Sequence, residues 1–288
     1  MQQNQIGMTP QIKAHSLSHK PISLPQNSTI YDVMKKMYEK NISRLLLTHR
    51  NQFTGIVTQK DIGKFLLAQK NNSPISKTPV SKIMNSIVYV DENASAIECS
   101  ELMLKHQISS LVVKKDNKFR IFTKNDLTKY YAQNCNGKFK VFELMTIGQF
   151  FCKQTSSIMD VLSNMISYNA SRLIVKDDDE VPVGIITFRN FINIALEFSQ
   201  KEKGPKHVVN NFDNFFASKN GYGRRCLANE IMTRDIIVVN AWDDLTKAAQ
   251  IILDNRVHGI GVVSKGEIIG IISEKDIIRA LTMDSQED

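Results

Sequence analysis

The sequence predicts an α/β chain built from four copies of one strand, helix, strand, strand, helix unit. Three observations carry this. A short signature recurs four times, reading GIVTQKDI from Gly55, RIFTKNDL from Arg120, GIITFRNF from Gly184 and GIISEKDI from Gly270. An amphipathic helical pattern precedes every copy, and a short apolar strand lies between helix and signature. Self-similarity at such a period marks a repeat architecture, in which each unit is one supersecondary element.

The helices follow from apolar residues at three- and four-residue spacing: Ile30, Val33, Met34 and Met37; Ala96, Cys99, Ser100 and Met103; Ile158, Val161, Leu162 and Met165; Leu245, Ala248, Ala249 and Ile252. The strands are ISRLLL from Ile42, ISSLVV from Ile108, ASRLIV from Ala170 and VHGIGVV from Val257. Turn-forming residues follow three of them, at Asp116-Asn117, Asp177-Asp178-Asp179 and Lys265-Gly266. This predicts a hairpin whose second strand is the signature itself. A unit of about 60 residues is marginal alone, so neighbouring units are expected to pair their sheets and share a core, with two pairs in all. The signatures are 65, 64 and 86 residues apart, which places an insertion before the fourth. The organisation read from these spacings is an N-terminal segment over 1–15, repeats over 16–72, 78–134, 141–198 and 227–284, and an insertion over 199–226.

Composition narrows the classes. The chain has 288 residues, 42% hydrophobic and 23% charged, ordinary for a globular protein. No apolar run is long enough to span a bilayer, and the first ten residues lack the pattern of a signal peptide, so a cytoplasmic protein without a membrane span is expected. Cys99, Cys135, Cys152 and Cys226 have neither C-x-x-C pairing nor regular spacing, which argues against a disulfide framework or zinc site. The net charge of +8 suggests an anionic partner.

The order of elements and the recurring G-h-h-[ST]-x-x-D ending, with h apolar, resemble the CBS domain over roughly residues 16 to 283. Four copies resemble two tandem pairs, known as Bateman modules. The resemblance implies compact pairs of repeats with ligand clefts between them, and adenine nucleotides or adenosyl compounds (AMP, ADP, ATP, S-adenosylmethionine) as regulatory ligands, with no cofactor required.

Thr58 and Asp61, Thr123 and Asp126, Thr187 and Asn190, and Ser273 and Asp276 each stand three apart where strand passes into helix. That spacing is a capping box, which satisfies otherwise unpaired backbone N–H groups. The same terminus also attracts phosphate, and a neighbouring aspartate can accept from both ribose hydroxyls. The resemblance implies that second role for Thr58 and Asp61 and for Ser273 and Asp276. Two copies depart from the pattern: Arg120 replaces the glycine, crowding a close backbone approach while adding a cation, and Asn190 replaces the aspartate, losing charge and acceptor capacity. The first and fourth sites therefore rank above the others. Arg44 and Arg172 stand just before the second strand of their units, where a guanidinium can fork onto phosphate; His258 takes the adjacent place in the fourth copy and Ser110 matches Arg44 in the second. His15 and His19, four apart, fit an ordinary polar terminus better than a metal pair.

No nucleophile with its base, P-loop or HExxH motif occurs, so the expected function is a non-enzymatic sensor whose ligand alters a regulated protein partner. Two other readings stay open. The insertion carries six Lys or Arg against one Glu and one Asp, interleaved with Phe212, Phe215, Phe216 and Tyr222, a composition suited to nucleic acid or to packing and dimer contacts. Four repeats also occur in the gamma subunit of AMP-activated kinases, which this chain would then resemble as part of a larger complex; homodimerisation is a further possibility.

Overall fold

The computed structural model describes residues 12–68, 75–115, 118–148, 150–201 and 226–284. The turn at Asp116-Asn117 and most of the basic insertion, with its aromatic residues, lie outside these ranges.

All four units have the expected order. Each forms a three-stranded sheet whose first strand runs parallel to the second and whose third returns antiparallel. In the first repeat these are β1 (Ser23–Pro25), β2 (Arg44–His49) and β3 (Gln52–Thr58); in the second, β4 (Tyr89–Val90), β5 (Ser110–Lys115) and β6 (Lys118–Thr123). The third has β7 (Phe151–Lys153), β8 (Arg172–Lys176) and β9 (Pro182–Thr187), and the fourth β10 (Val238–Asn240), β11 (Gly259–Ser264) and β12 (Glu267–Ser273). The parallel pair needs a crossover, supplied by the helices Ile30–Glu39, Ala96–Lys105, Ile158–Ser167 and Leu245–Asp254. Their predicted apolar faces are the buried ones. Each helix ends before a residue of positive φ, Asn41, Gln107, Asn169 or Arg256, which turns the chain into the next strand.

The chain divides into two compact units. One comprises Met1–Pro21, Val88–Gly148 and Ile237–Asp288, and the other Ile22–Ile87 and Gln149–Ile236. The first thus holds the sheets of repeats 2 and 4, the second those of repeats 1 and 3. In the first unit, helix Lys124–Asn134 packs on Leu245–Asp254, and Glu274–Asp284 packs on Ala96–Lys105 and Lys124–Asn134. A single buried cluster, including Met103, Phe122, Tyr131, Ile252 and Ile277, runs through both repeats. In the second unit, Gln59–Ala68 packs on Ile158–Ser167 and Phe188–Lys201. A methyl at Gly63 would stand 2.7 Å from the Phe188 ring, so glycine permits that close approach. Helical cores therefore join alternate repeats, a correction to the expectation that neighbours share them. The physical reason is that the helix after each third strand packs on helices of the alternate repeat: Lys124–Asn134 and Glu274–Asp284 in one unit, Gln59–Ala68 and Phe188–Lys201 in the other.

Neighbouring repeats are tied in another way, by exchange of the segment that leads into each. Residues 12–21 lie on repeat 2, 75–87 on repeat 1, 139–148 on repeat 4 and 227–236 on repeat 3. Each lead adds one antiparallel bridge to the open edge of a third strand: His19 with Ile121, Asn85 with Ile56, Thr146 with Ile271 and Thr233 with Ile185. Repeats 1 and 2, and 3 and 4, are thereby the tandem pairs.

The bridge explains the signature glycine. None of Gly55, Gly184 and Gly270 has a positive φ; what each lacks is room for a side chain. A Cβ at these positions would lie 2.7 Å from Met84 Sδ, 2.5 Å from Met232 Sδ and 2.9 Å from Met145 Sδ, the methionine in each case belonging to the lead. In repeat 2 the sizes are exchanged. Ser18 stands in the methionine's place, and Arg120 reaches over it, donating from Nε to the Ser18 carbonyl at 3.1 Å and hydroxyl at 3.0 Å. The close approach that Arg120 was expected to crowd is thus made by the protein's own lead segment. We predict that Gly55→Ala costs about 1–3 kcal/mol through overpacking. That cost is expected to shrink by about 1 kcal/mol in a Met84→Ala background, measured by a denaturant double-mutant cycle.

Leads are also held by caps. Asp244 accepts from Thr246 N–H at 2.9 Å, from the Thr246 hydroxyl at 2.6 Å and from Gly137 N–H at 2.9 Å. Burial alone would raise its pKa, but the Thr246 bonds, the Gly137 bond and nearby Lys140 outweigh that and hold it below the ordinary 3.8. A depressed carboxyl pKa stabilises the fold above 3.8 and loses that contribution as pH falls through the lowered value. Acid unfolding followed by circular dichroism is expected to show a shallower acid limb for Asp244→Asn than for the parent.

Candidate functional site

The four signature hydroxyls and their partners lie at the end of each third strand. In repeat 1 the Asp61 Oδ2 accepts from Thr58 N–H at 2.9 Å and from the Thr58 hydroxyl at 2.6 Å. Thr123 and Asp126 do the same at 2.8 and 2.7 Å, and Ser273 and Asp276 at 2.9 and 2.7 Å. Asn190 substitutes its Oδ1, accepting from Thr187 at 2.8 and 2.9 Å. All four are therefore working caps.

Two consequences bear on ligand chemistry. An ionised carboxylate is acceptor only, so the signature hydroxyl donates its proton to it and has none for a phosphate. The first helical N–H is engaged as well: Gln59 donates to Ser43 O at 3.0 Å, Lys124 to Ser109 O at 3.1 Å and Glu274 to His258 O at 3.2 Å. The helix terminus is thus less open to anions than its sequence suggested. What the cap leaves is the second oxygen or the amide of the aspartate or asparagine.

That remaining group differs from repeat to repeat. In repeat 4, Asp276 is only 2% exposed, and its Oδ1 meets the Thr146 hydroxyl at 3.3 Å and Arg279 Nη2 at 3.6 Å. In repeat 2 the Asp126 Oδ1 lies 3.6 Å from His19 Nδ1. Asn190 Nδ2 donates to Ile231 O at 2.7 Å, so both ends of its amide are occupied. Asp61 alone among the four has no second partner among the described residues, and its Oδ1 is left to accept. The contacts that occupy Asp126, Asn190 and Asp276 all involve lead segments. Those segments were missed as site elements, although Leu144-Met145-Thr146 and Ile231-Met232-Thr233 form a second recurring tripeptide that could have revealed them.

Strand register brings the predicted basic residues beside the caps. Arg44 is the direct cross-strand partner of Thr58, Ser110 of Thr123 and Arg172 of Thr187. Arg44 is partly exposed, and its Nη2 donates to Ser43 Oγ at 2.9 Å. Arg172 is 6% exposed and lies against Ser171 Oγ. In repeat 4 that place belongs to Gly259, and His258 instead sits 3.1 Å from the buried carboxylate of Glu274, which also accepts from Asn125 at 3.0 Å. Burial pushes the Cys99 and Cys152 thiols up to about 12, so neither is a ready thiolate. Among the described residues no group of three or more His, Cys, Asp or Glu is placed to hold a metal ion, and no helix is long and apolar enough to cross a membrane.

Comparison with known proteins agrees with this architecture. The chain is 24% identical over 280 residues to the protein MJ1225 of Methanocaldococcus jannaschii, covering 90% of this chain and 95% of that one. The crystal structure of MJ1225, for which homology to g-AMPK has been suggested, matches with a TM-score of 0.77 at 23% identity, over 94% of this chain and 100% of that chain. A conserved protein from Pyrococcus horikoshii matches with a TM-score of 0.61 at 17% identity, over 94% of this chain and 100% of the other. The CBS domain-containing protein CBSCBSPB1 of Arabidopsis thaliana is 33% identical over 96 residues, which is 33% of this chain and 17% of that protein. The CBS domain model matches residues 13–68, 80–133, 141–197 and 228–283, and the chain therefore belongs to the CBS domain family, with four repeats in two tandem pairs.

Proposed function

We propose that this regulatory CBS-domain protein is a non-catalytic sensor of an adenine nucleotide or adenosyl compound, and that repeat 1 carries its principal site. The observation behind this is the Asp61 carboxylate: one oxygen caps the helix and the other remains open as an acceptor for ribose hydroxyls. Arg44, directly across the strand pair from Thr58, is the group suited to phosphate. Asp276 ranks below Asp61, because a ligand there has to displace Thr146 and Arg279 from a buried carboxylate. Asp126 has to release His19, and Asn190 offers no spare acceptor. Signalling by such a site requires that ligand bind one conformational state more tightly than another.

Isothermal titration with AMP, ADP, ATP and S-adenosylmethionine tests the reading, and absence of heat with all four would sink it. Asp61→Asn should weaken binding roughly tenfold by removing a charged acceptor. Asn190 caps its own helix through Oδ1, so asparagine is expected to preserve the fold at position 61. Asp276→Asn should change affinity far less. Arg44→Ala separates the two roles: binding of AMP, ADP and ATP should fall by about tenfold, while S-adenosylmethionine, which has no phosphate, binds as before.

A further inference from the structure

The exchange of sizes at Ser18 and Arg120 has a second effect on repeat 2. Beside it lies an open cavity of about 540 Å³ lined by His15, Lys20, Lys115, Lys118, Phe119 and Arg120. Five of these six side chains are basic. They come from three places in the chain: the lead segment supplies His15 and Lys20, the end of β5 supplies Lys115, and β6 supplies the rest. The cavity contains none of Ser110, Thr123 and Asp126, so it is not the signature site of this repeat.

We infer that this cavity is a separate site for a compact polyphosphate anion. The Arg120 guanidinium is oriented by its bonds from Nε and Nη2 to Ser18, which leave Nη1 with no partner among the described residues. A guanidinium fixed in this way is preorganised for a phosphate oxygen. Lys20 and Lys118 are exposed and flank it. Among the described residues, Glu92 lies 2.7 Å from Lys115 and offsets one of the four permanent positive charges. Lys20, Lys118 and Arg120 supply the other three. That sum matches an anion with more than one phosphate group better than it matches orthophosphate, and the volume falls in the range of small-molecule sites. Phe119 gives the wall an apolar face, itself 6.1 Å from the Tyr89 ring. The other repeats lack the arrangement because a glycine stands where repeat 2 has Arg120, and a lead methionine covers it.

Isothermal titration of the full chain with inorganic triphosphate, orthophosphate and ATP tests the inference. Triphosphate is expected to bind more tightly than orthophosphate, and Lys20→Ala/Lys118→Ala to weaken it by roughly tenfold or more. A Lys35→Ala/Lys247→Ala control makes the same change in net charge at exposed ion pairs elsewhere and is expected to leave triphosphate binding within about twofold. Arg44→Ala should also leave it unchanged, which separates this site from the proposed nucleotide site: loss of triphosphate binding in that variant would assign the anion to repeat 1. ATP binding that survives Asp61→Asn and falls with the double lysine variant would identify a nucleotide as the source of the polyphosphate. No binding of triphosphate by the parent chain, or equal weakening by both double variants, would overturn the inference. Unchanged thermal unfolding of the two double variants keeps a folding defect from imitating either result.

Discussion

The fold depends on one small contact made four times. A residue of each lead segment forms two reciprocal backbone hydrogen bonds with the middle of a third strand: Asn85 with Ile56, His19 with Ile121, Thr146 with Ile271 and Thr233 with Ile185, all between 2.8 and 3.0 Å. An unpaired strand edge is a liability, and this bridge covers it with chain from the adjoining repeat. The glycines of the signature follow from it, since they let the lead approach so closely. So does the tandem pairing of consecutive repeats, because each lead belongs by sequence to one repeat and by contact to its neighbour.

The same leads govern the candidate binding groups. A capping box requires one oxygen of the aspartate, and the fold leaves the other undetermined. Thr146 and Arg279 occupy it at Asp276, His19 approaches it at Asp126, and the Asn190 amide is tied to Ile231. Signature residues that look equivalent in a row of aligned repeats therefore have unequal chemistry. At Asp61 the cap uses one oxygen of the carboxylate and leaves the other as an open acceptor.

Repeat 2 shows how the constraint adapts. Its lead has the small Ser18 where the other repeats have methionine, and its third strand has Arg120 where they have glycine. Bulk is conserved across the bridge while its chemistry changes from an apolar thioether on bare backbone to a guanidinium anchored on a serine. The change puts a fixed cation at the surface, beside lysines already present at the hairpin end.

The number of repeats, the order of their elements, the buried face of every crossover helix and the presence of four caps were legible in the sequence alone. These are local properties: the periods of helix and strand, and a hydroxyl three residues before a carboxylate, act over a few residues and recur four times in one chain. Arg44 opposite Thr58 was nearly as legible, since hairpin register follows from adjacent segments. The joining of alternate rather than neighbouring repeats by helical cores was decided only by the tertiary structure. So were the reason for the signature glycine and the choice of Asp61 over Asp276 as the open acceptor. Each of these turns on a partner far away in sequence, such as Met84 against Gly55 or Thr146 against Asp276, and burial and hydrogen-bond occupancy become properties of a residue only when such partners are brought to it.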